Sequence, residues 1–182
     1  MRFKAIGDNV TIYPWARIVS PEVIQIGNHV IIDDFVFLSG GKGIIIGDYV
    51  HIGMHTAITG GGLLVMEDFS GLSGGVLLYT GGEDYGGQWL TNPTVPYPYR
   101  RPYRSSVTMH RHSLIGSGCV VLAGPDGLEI GEGASVGAMT LVKDDLEPWT
   151  VYAGIPARPI KKRDKDRVLE LEALLRSGCS ED

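Results

Sequence analysis

The stretch Ile44-Ile45-Ile46-Gly47-Asp48-Tyr49-Val50-His51-Ile52-Gly53-Met54-His55-Thr56-Ala57-Ile58-Thr59 decides how this chain folds. Its large aliphatic residues Ile46, Ile52 and Ile58 recur every six residues. An amphipathic helix repeats at 3.6 and an ordinary strand at two, so neither explains the spacing. The same ladder extends in both directions. Upstream it runs through Ile6, Ile12 and Ile18, then Ile26, Ile32 and Leu38. Downstream it runs through Met66, Leu72 and Leu78, then Met109, Ile115 and Val121, then Ile130, Val136 and Val142. Every one of these positions is Ile, Leu, Val or Met.

Four residues after most ladder positions stands a small or β-branched residue, for example Val30, Val36, Val50, Thr56, Cys119, Ala134 and Thr140. One large and one small inward residue per hexad suit a narrow triangular prism. Three short strands make one coil, and Gly, Asp and Asn gather at the corners, where turn conformations are needed. The hexads therefore predict an all-β fold, a left-handed parallel β-helix of about six coils. Successive coils pair as parallel strands about 4.8 Å apart, so the prism is roughly 29 Å tall. All insertions fall after the third hexad of a coil, at one corner.

The prism is expected over residues 1–163, with one excursion loop over about 79–106. That loop holds five of the chain's eight tyrosines, together with Trp89, Glu83 and Asp84, and is too aromatic for a disordered linker. Residues 164–182 form a C-terminal helix and tail. Val168, Leu169, Leu171, Leu174 and Leu175 mark a short amphipathic helix from about Asp164 to Arg176, docked on its own or a neighbouring prism.

Composition bounds the function. The net charge of −5 argues against a nucleic-acid partner, which requires an excess of Lys and Arg. No apolar run approaches a membrane span, and the N-terminus lacks a signal-peptide core. Cys119 and Cys179 make no disulfide framework. A cytoplasmic location is expected.

The hexad ladder, the loop after the fourth coil and the ending VKDDLEPWTVYAGIPARPIKK (142–162) together resemble the hexapeptide-repeat, or isoleucine-patch, acyltransferases. The pattern is most similar to maltose and galactoside O-acetyltransferases, xenobiotic acetyltransferases and the sugar acetyltransferases of polysaccharide pathways. The resemblance implies a homotrimer with active sites between subunits and acetyl-CoA as co-substrate, with no metal. By position it implies that Gly116, Ser117, Gly137, Ala138, Ala153, Pro156 and Arg158 line the coenzyme A groove, with Lys161 and Lys162 near phosphates. The residue chemistry agrees: glycines admit an extended ligand to the backbone, and Arg or Lys suits phosphate. Corner geometry for the glycines, and a solvated tail for the lysines, explain the same residues without a ligand.

Acyl transfer needs a group to take a proton from the attacking hydroxyl or amine. Histidine is the usual choice, because imidazole titrates near neutral pH. In the galactoside and xenobiotic relatives that histidine lies in the long loop. Here the matching stretch YTGGEDYGGQW (79–89) has none, and Glu83 and Asp84 stand in its place. In the nucleotide-sugar N-acetyltransferases a histidine in a setting like Ile46-Gly47-x-x-x-His51 lines the site. The hexad register puts His51 above Ile31 and below Gly71, and His55 above Phe35 and below Gly75, leaving open space beside both rings. His51 is the leading catalytic candidate, with His55 and Asp84 as alternatives; simple positioning of the acceptor without a protein base is a third mechanism. His110 and His112, on either side of Arg111, are weaker candidates for ligand contact.

The expected acceptor is a sugar or nucleotide-sugar. Trp89 and Tyr85 present flat faces for a sugar ring, while Glu83 and Asn92 offer hydrogen bonds to its hydroxyls. Two other functions compete. A γ-carbonic anhydrase-like hydratase would converge His51, His55 and His110 or His112 on zinc across a subunit interface. A trimeric prism without enzymatic activity would bind no coenzyme A.

Overall fold

The structure is a computed structural model and describes residues 2–178. Cys179 lies outside the described residues. The chain winds into a left-handed parallel β-helix with three faces. The first face carries strands Ala5–Ile6, Ile24–Ile26, Gly43–Ile46, Leu63–Met66, Ser106–Met109 and Leu128–Ile130. The second carries Thr11–Ile12, Ile31–Ile32, His51–Ile52, Gly71–Leu72, Leu114–Ile115 and Ser135–Val136, and the third runs from Arg17–Val19 to Leu141–Val142. Ladder residue pairs with ladder residue throughout: Ile26 with Ile46, Ile46 with Met66, and Met66 with Met109. From Ile24 onward this ladder is buried, as are the small inward residues Val50, Thr56, Cys119 and Thr140. Each large aliphatic side chain so buried contributes about 1.5–3 kcal/mol. Ile6 stays exposed, because among the described residues no coil lies beneath it.

The recurring Ile-Gly-Asp phrase has a direct physical cause. At the first corner, Asn28, Asp48 and Asp68 each accept the backbone N–H of the residue twenty positions earlier: Asp8 at 2.8 Å, Asn28 at 2.7 Å and Asp48 at 2.9 Å. Each side-chain oxygen thereby fills the space beside the preceding coil's glycine. A methyl group on Gly7 or Gly47 would lie 2.5 Å from Asn28 Oδ1 or Asp68 Oδ1. Glycine is needed there so that the ladder of side-chain acceptors fits.

The left-handed turn positions depart from the expected Gly, Asp and Asn. At the first corner they are Asn9, His29, Tyr49, Phe69, His112, Gly133 and Trp149, and at the second they include Phe35 and His55, all with positive φ. The backbone penalty for a side chain in this region, about 1–2 kcal/mol, is offset by coil spacing that stacks the rings. His29–Tyr49, Tyr49–Phe69 and Phe69–His112 have centroids 4.6, 4.8 and 5.0 Å apart. Aromatic pairs of this kind add about 0.5–1.5 kcal/mol beyond burial.

The prism extends past six coils. Leu146 and Tyr152 continue the six-residue spacing and are buried, and Thr150–Ala153 lies parallel on Ser135–Val136 as a seventh rung. The expectation stopped at Val142 because a corner of only three residues and a tyrosine at the ladder position disguise the repeat. Arg158–Lys162 then returns antiparallel along the rung and closes that end of the face.

All larger connections leave from the third corner, as the insertions required, and the excursion runs between the strands ending at Tyr79 and beginning at Ser106. The helix spans Lys165–Ser177, with Asp164 accepting Arg167 N–H as its cap. It docks on its own prism at the first corner. Contact centres on Glu172, 8% exposed, which accepts from His112 Nε2 at 2.7 Å, from Arg176 Nε at 2.7 Å and from Arg111. Leu171 and Leu175 stay exposed, so ionic contacts seat this helix more than its apolar stripe does. No helix among the described residues is long and apolar enough to cross a membrane.

Gly47→Ala is expected to destabilise the prism by about 1–3 kcal/mol, the cost of overpacking, because Asp68 Oδ1 and its backbone N, 2.5 and 2.9 Å from the new methyl, have to move. Gly124→Ala, where nothing lies within 4 Å, should be nearly neutral in the same denaturant titration.

Candidate active site

At the second corner a column of rings rises and then stops. Trp15 stacks on Phe35 at 5.4 Å, and Phe35 on His55 at 5.0 Å. Above His55 the column holds only Gly75 and Gly118, until Met139 closes it by leaning its Sδ over Gly118. A side chain at Gly75 would meet only the backbone of Gly118, 3.7 Å away. The two glycines therefore leave a recess in the prism edge.

His51 stands beside that recess on the second face, in register with Ile31 below and Gly71 above, as the hexads require. Its ring reaches diagonally to Asp33, with Nε2 3.0 Å from Asp33 Oδ2. The same carboxylate oxygen accepts Met54 N–H at 3.2 Å, which fixes it in place. An imidazole that donates Nε2–H to Asp33 leaves Nδ1 as a free acceptor. The His51 side chain is 56% exposed, so this nitrogen is accessible. Asp33 escaped the sequence reading, which considered only vertical neighbours. The signal was the Asp-Asp pair after Ile32, one diagonal step from His51.

The residues expected along the donor groove form one column above the recess. Gly116 and Ser117 belong to the fifth coil's second corner, Gly137 and Ala138 to the sixth's, and Ala153 to the seventh rung. Gly116 has no room for a methyl group, which would sit 2.6 Å from Val136 O, and one on Gly137 would lie 3.3 Å from Ala153 Cβ. Coil packing thus accounts for both glycines, and Ser117 and Ala138 are the exposed positions. Pro156 follows a cis peptide bond in the turn above them. Arg158 lies opposite Ala153 at the same end of the rung. Lys161 and Lys162 lie opposite Val151 and Thr150, towards the first corner, and Lys162 donates to Thr150 Oγ1 at 2.9 Å.

The excursion loop leaves from the third corner on a short antiparallel pair, Gly81–Gly82 with Tyr103–Arg104. Asp84 accepts Gly86 N–H and Trp89 N–H, each at 2.8 Å. Those amides hold its carboxyl below the ordinary aspartate value. Glu83 is paired with Arg100 at 3.0 Å. Asn92 spends its side-chain oxygen on Thr94 N–H and Oγ1, at 3.0 and 2.5 Å, so the oxygen expected to face an acceptor shapes a turn. Tyr85 is fully exposed, and Trp89 is half-buried beneath the Arg101 guanidinium, 4.3 Å from the ring centroid.

No hydrogen bond or ion pair among the described residues joins His51 to Asp84. His110 lies between Glu67 and Glu129, at 3.1 and 2.9 Å, and His112 is buried against Glu172, so both take part in the contacts of the first corner. Among the described residues no group of three or more His, Cys, Asp or Glu side chains is arranged to hold a metal ion.

Comparison with known proteins supplies relatives for this geometry. No family model matches the chain. It is 41% identical over 180 residues to the dTDP-4-amino-4,6-dideoxy-D-glucose acyltransferase of Escherichia coli, covering 98% of this chain and 92% of that one. The fold is similar to that of AntD, an N-acyltransferase from Bacillus cereus solved with dTDP and 3-hydroxybutyryl-CoA, at a TM-score of 0.90 and 39% identity over 97% of this chain and 91% of AntD. A variant of AntD solved with dTDP-4-amino-4,6-dideoxyglucose and coenzyme A superposes at 0.89 with 38% identity, covering 96% of this chain and 92% of the variant.

Asp84 carries a pH signature. Its folded pKa is lowered by the Gly86 and Trp89 amides, so its contribution to loop order is complete above the unfolded carboxylate range and is lost as pH falls through the lowered value. Protection factors at Gly86 and Trp89, measured by amide exchange, should hold from neutral pH into the ordinary aspartate range and collapse below it. Asp84→Ala should abolish that protection at neutral pH.

Proposed function

Because the chain belongs to the hexapeptide-repeat acyltransferase family, we propose that it transfers an acyl group from acyl-CoA to the amine of a nucleotide-linked amino sugar. The chain is an acyl-CoA-dependent acyltransferase, with the acyl donor as co-substrate. One observation carries the choice of acceptor. The likeness to a dTDP-amino-sugar acyltransferase covers 98% of this chain, the excursion loop included. The likeness thus takes in the loop, the segment read here as facing the acceptor, along with the hexads common to many acyltransferases. This narrows the earlier alternatives of hydroxyl or amine, and of free or nucleotide-linked sugar.

In this reading the donor's pantetheine arm follows the second-corner column past Ser117 and Ala138, and Arg158 takes a phosphate. The acyl carbon lies at the recess over Gly75. The neutral sugar amine attacks the thioester carbonyl, and the C–S bond breaks as the tetrahedral intermediate collapses. His51 Nδ1 takes the amine proton and passes it to the departing thiolate. Asp33 orients the ring and stabilises the imidazolium, as carboxylates do for catalytic histidines. Asp84, held ionised, offers a negative charge to the acceptor.

His51 lies on the second face and Asp84 in the loop that leaves from the third corner, which supports an active site shared between subunits. Trp15, Ile31, Phe35, Met54, Leu114 and Met139 form an exposed apolar region around His51, with Trp15 and Met139 at 66% and 69%. A region of this kind marks an interaction surface. A homotrimer that buries it would bring a neighbour's loop towards His51.

Sedimentation should give three times the 19.7-kDa protomer, and a stable monomer at micromolar concentration would overturn the shared site. His51→Ala should lower kcat roughly 10²- to 10⁴-fold, the range for losing a general base, with coenzyme A affinity retained. Near-normal turnover in His51→Ala beside an inactive Asp84→Ala would move the base to the loop carboxylate. Full activity in both would leave positioning as the mechanism.

A further inference from the structure

We propose that the cleft in the excursion loop seats the nucleoside-diphosphate half of the acceptor, with Arg101 on the diphosphate and Tyr99 as the platform for the base. This rests on the nucleotide-sugar reading above and says how that acceptor is recognised. The cleft is lined by Gly87, Gln88, Trp89 and Leu90 on one limb and Pro98, Tyr99 and Arg101 on the other.

Three features point to this ligand. The first is that the loop is ordered by its own bonds. Asp84 fixes one limb, Arg100 and Glu83 join the two limbs, and Leu90 N–H donates to Tyr99 O at 3.0 Å. The second is that this order presents apolar faces to solvent rather than hiding them: Tyr99 is 62% exposed, and Leu90 and Tyr97 are exposed as well. Exposed, pre-set aromatic rings are what a nucleobase stacks on. The third is the state of the arginines. Arg100 is committed to Glu83 and Arg104 to the Tyr103 carbonyl. Arg101 makes no ion pair among the described residues, and its guanidinium carbon lies over Trp89, 4.3 Å from the ring centroid. A guanidinium held this way keeps its edge donors free, in the fork geometry that suits phosphate.

A neutral sugar ring would stack on the same aromatics but would leave Arg101 without an anion. The phosphates of the acyl donor are a second source of the same chemistry. Their candidate residues, Arg158, Lys161 and Lys162, lie on the strand along the second face, whereas this loop leaves from the third corner. The acceptor's diphosphate is therefore the better match.

Calorimetric titration with dTDP alone, and separately with coenzyme A, tests the assignment on the full chain. Arg101→Ala should raise the dTDP Kd roughly 10- to 100-fold, as expected for losing a charge-assisted contact. Arg101→Lys should fall between it and wild type. Tyr99→Ala, which leaves the backbone bonds of the loop in place, should raise it roughly 5- to 50-fold by loss of stacking. Coenzyme A affinity should not change. With a dTDP-linked amino sugar, the Arg101 variants should raise the acceptor KM and leave kcat nearly intact, the mark of binding lost equally from ground and transition states. Unchanged dTDP affinity in Arg101→Ala would overturn the proposal, and a loss falling on coenzyme A would reassign the cleft to the donor. If the wild type binds no dTDP yet acylates an amino sugar lacking a nucleotide, the nucleotide-sugar reading itself falls.

Discussion

Parallel hydrogen bonding between successive coils holds each residue directly above its counterpart in the coil below, about 4.8 Å away. Whatever stands at one position must therefore tolerate, or use, the same position one coil on. At the inward positions that constraint yields an aliphatic stack such as Ile26, Ile46, Met66 and Met109. At the first corner it yields Asn28, Asp48 and Asp68, each accepting an amide of the coil beneath, and it requires the glycines that make room for them.

The two ring columns answer the constraint in opposite ways. The first-corner column runs His29, Tyr49, Phe69 and His112 and is then covered by the helix, whose Glu172 meets His112 and whose Arg176 lies 5.2 Å over Phe69. It is a closed structural spine. The second-corner column ends at His55, and glycines at 75 and 118 leave the edge open. A recess in a stacked column is stable only because the flanking coils are held by their own backbone pairing and by the core. The fold can leave such a gap without collapsing into it, which makes this edge suited to an extended ligand.

The candidate residues for chemistry and for recognition lie on differently held elements. His51 begins the strand His51–Ile52 and Asp33 directly follows its partner strand Ile31–Ile32, so their 3.0 Å contact is set by the prism. The loop is held only at its root and by a few internal bonds, and it carries the aromatic and arginine side chains suited to a bulky acceptor. Within the chain the two lie apart, His51 on the second face and the loop at the third corner.

Much of this was legible in the linear chain. The six-residue spacing alone implies the prism, the inward residues, the corner from which the loop departs and the vertical neighbours of His51 and His55, because a coil repeat turns sequence distance into stacking. Resemblance in the ending around Ala153–Arg158 pointed to the donor. What spacing does not reveal is where a side chain turns once it leaves its rung. Asp33 reaches His51 on a diagonal, Asn92 folds back on Thr94, and Asp84 bonds to its own loop. The helix seats through Glu172 rather than its leucines, and a seventh rung forms past a shortened corner. Each of these depends on side-chain direction and on contacts between segments far apart in sequence. Such contacts exist only once the coils have stacked, so tertiary structure decided them.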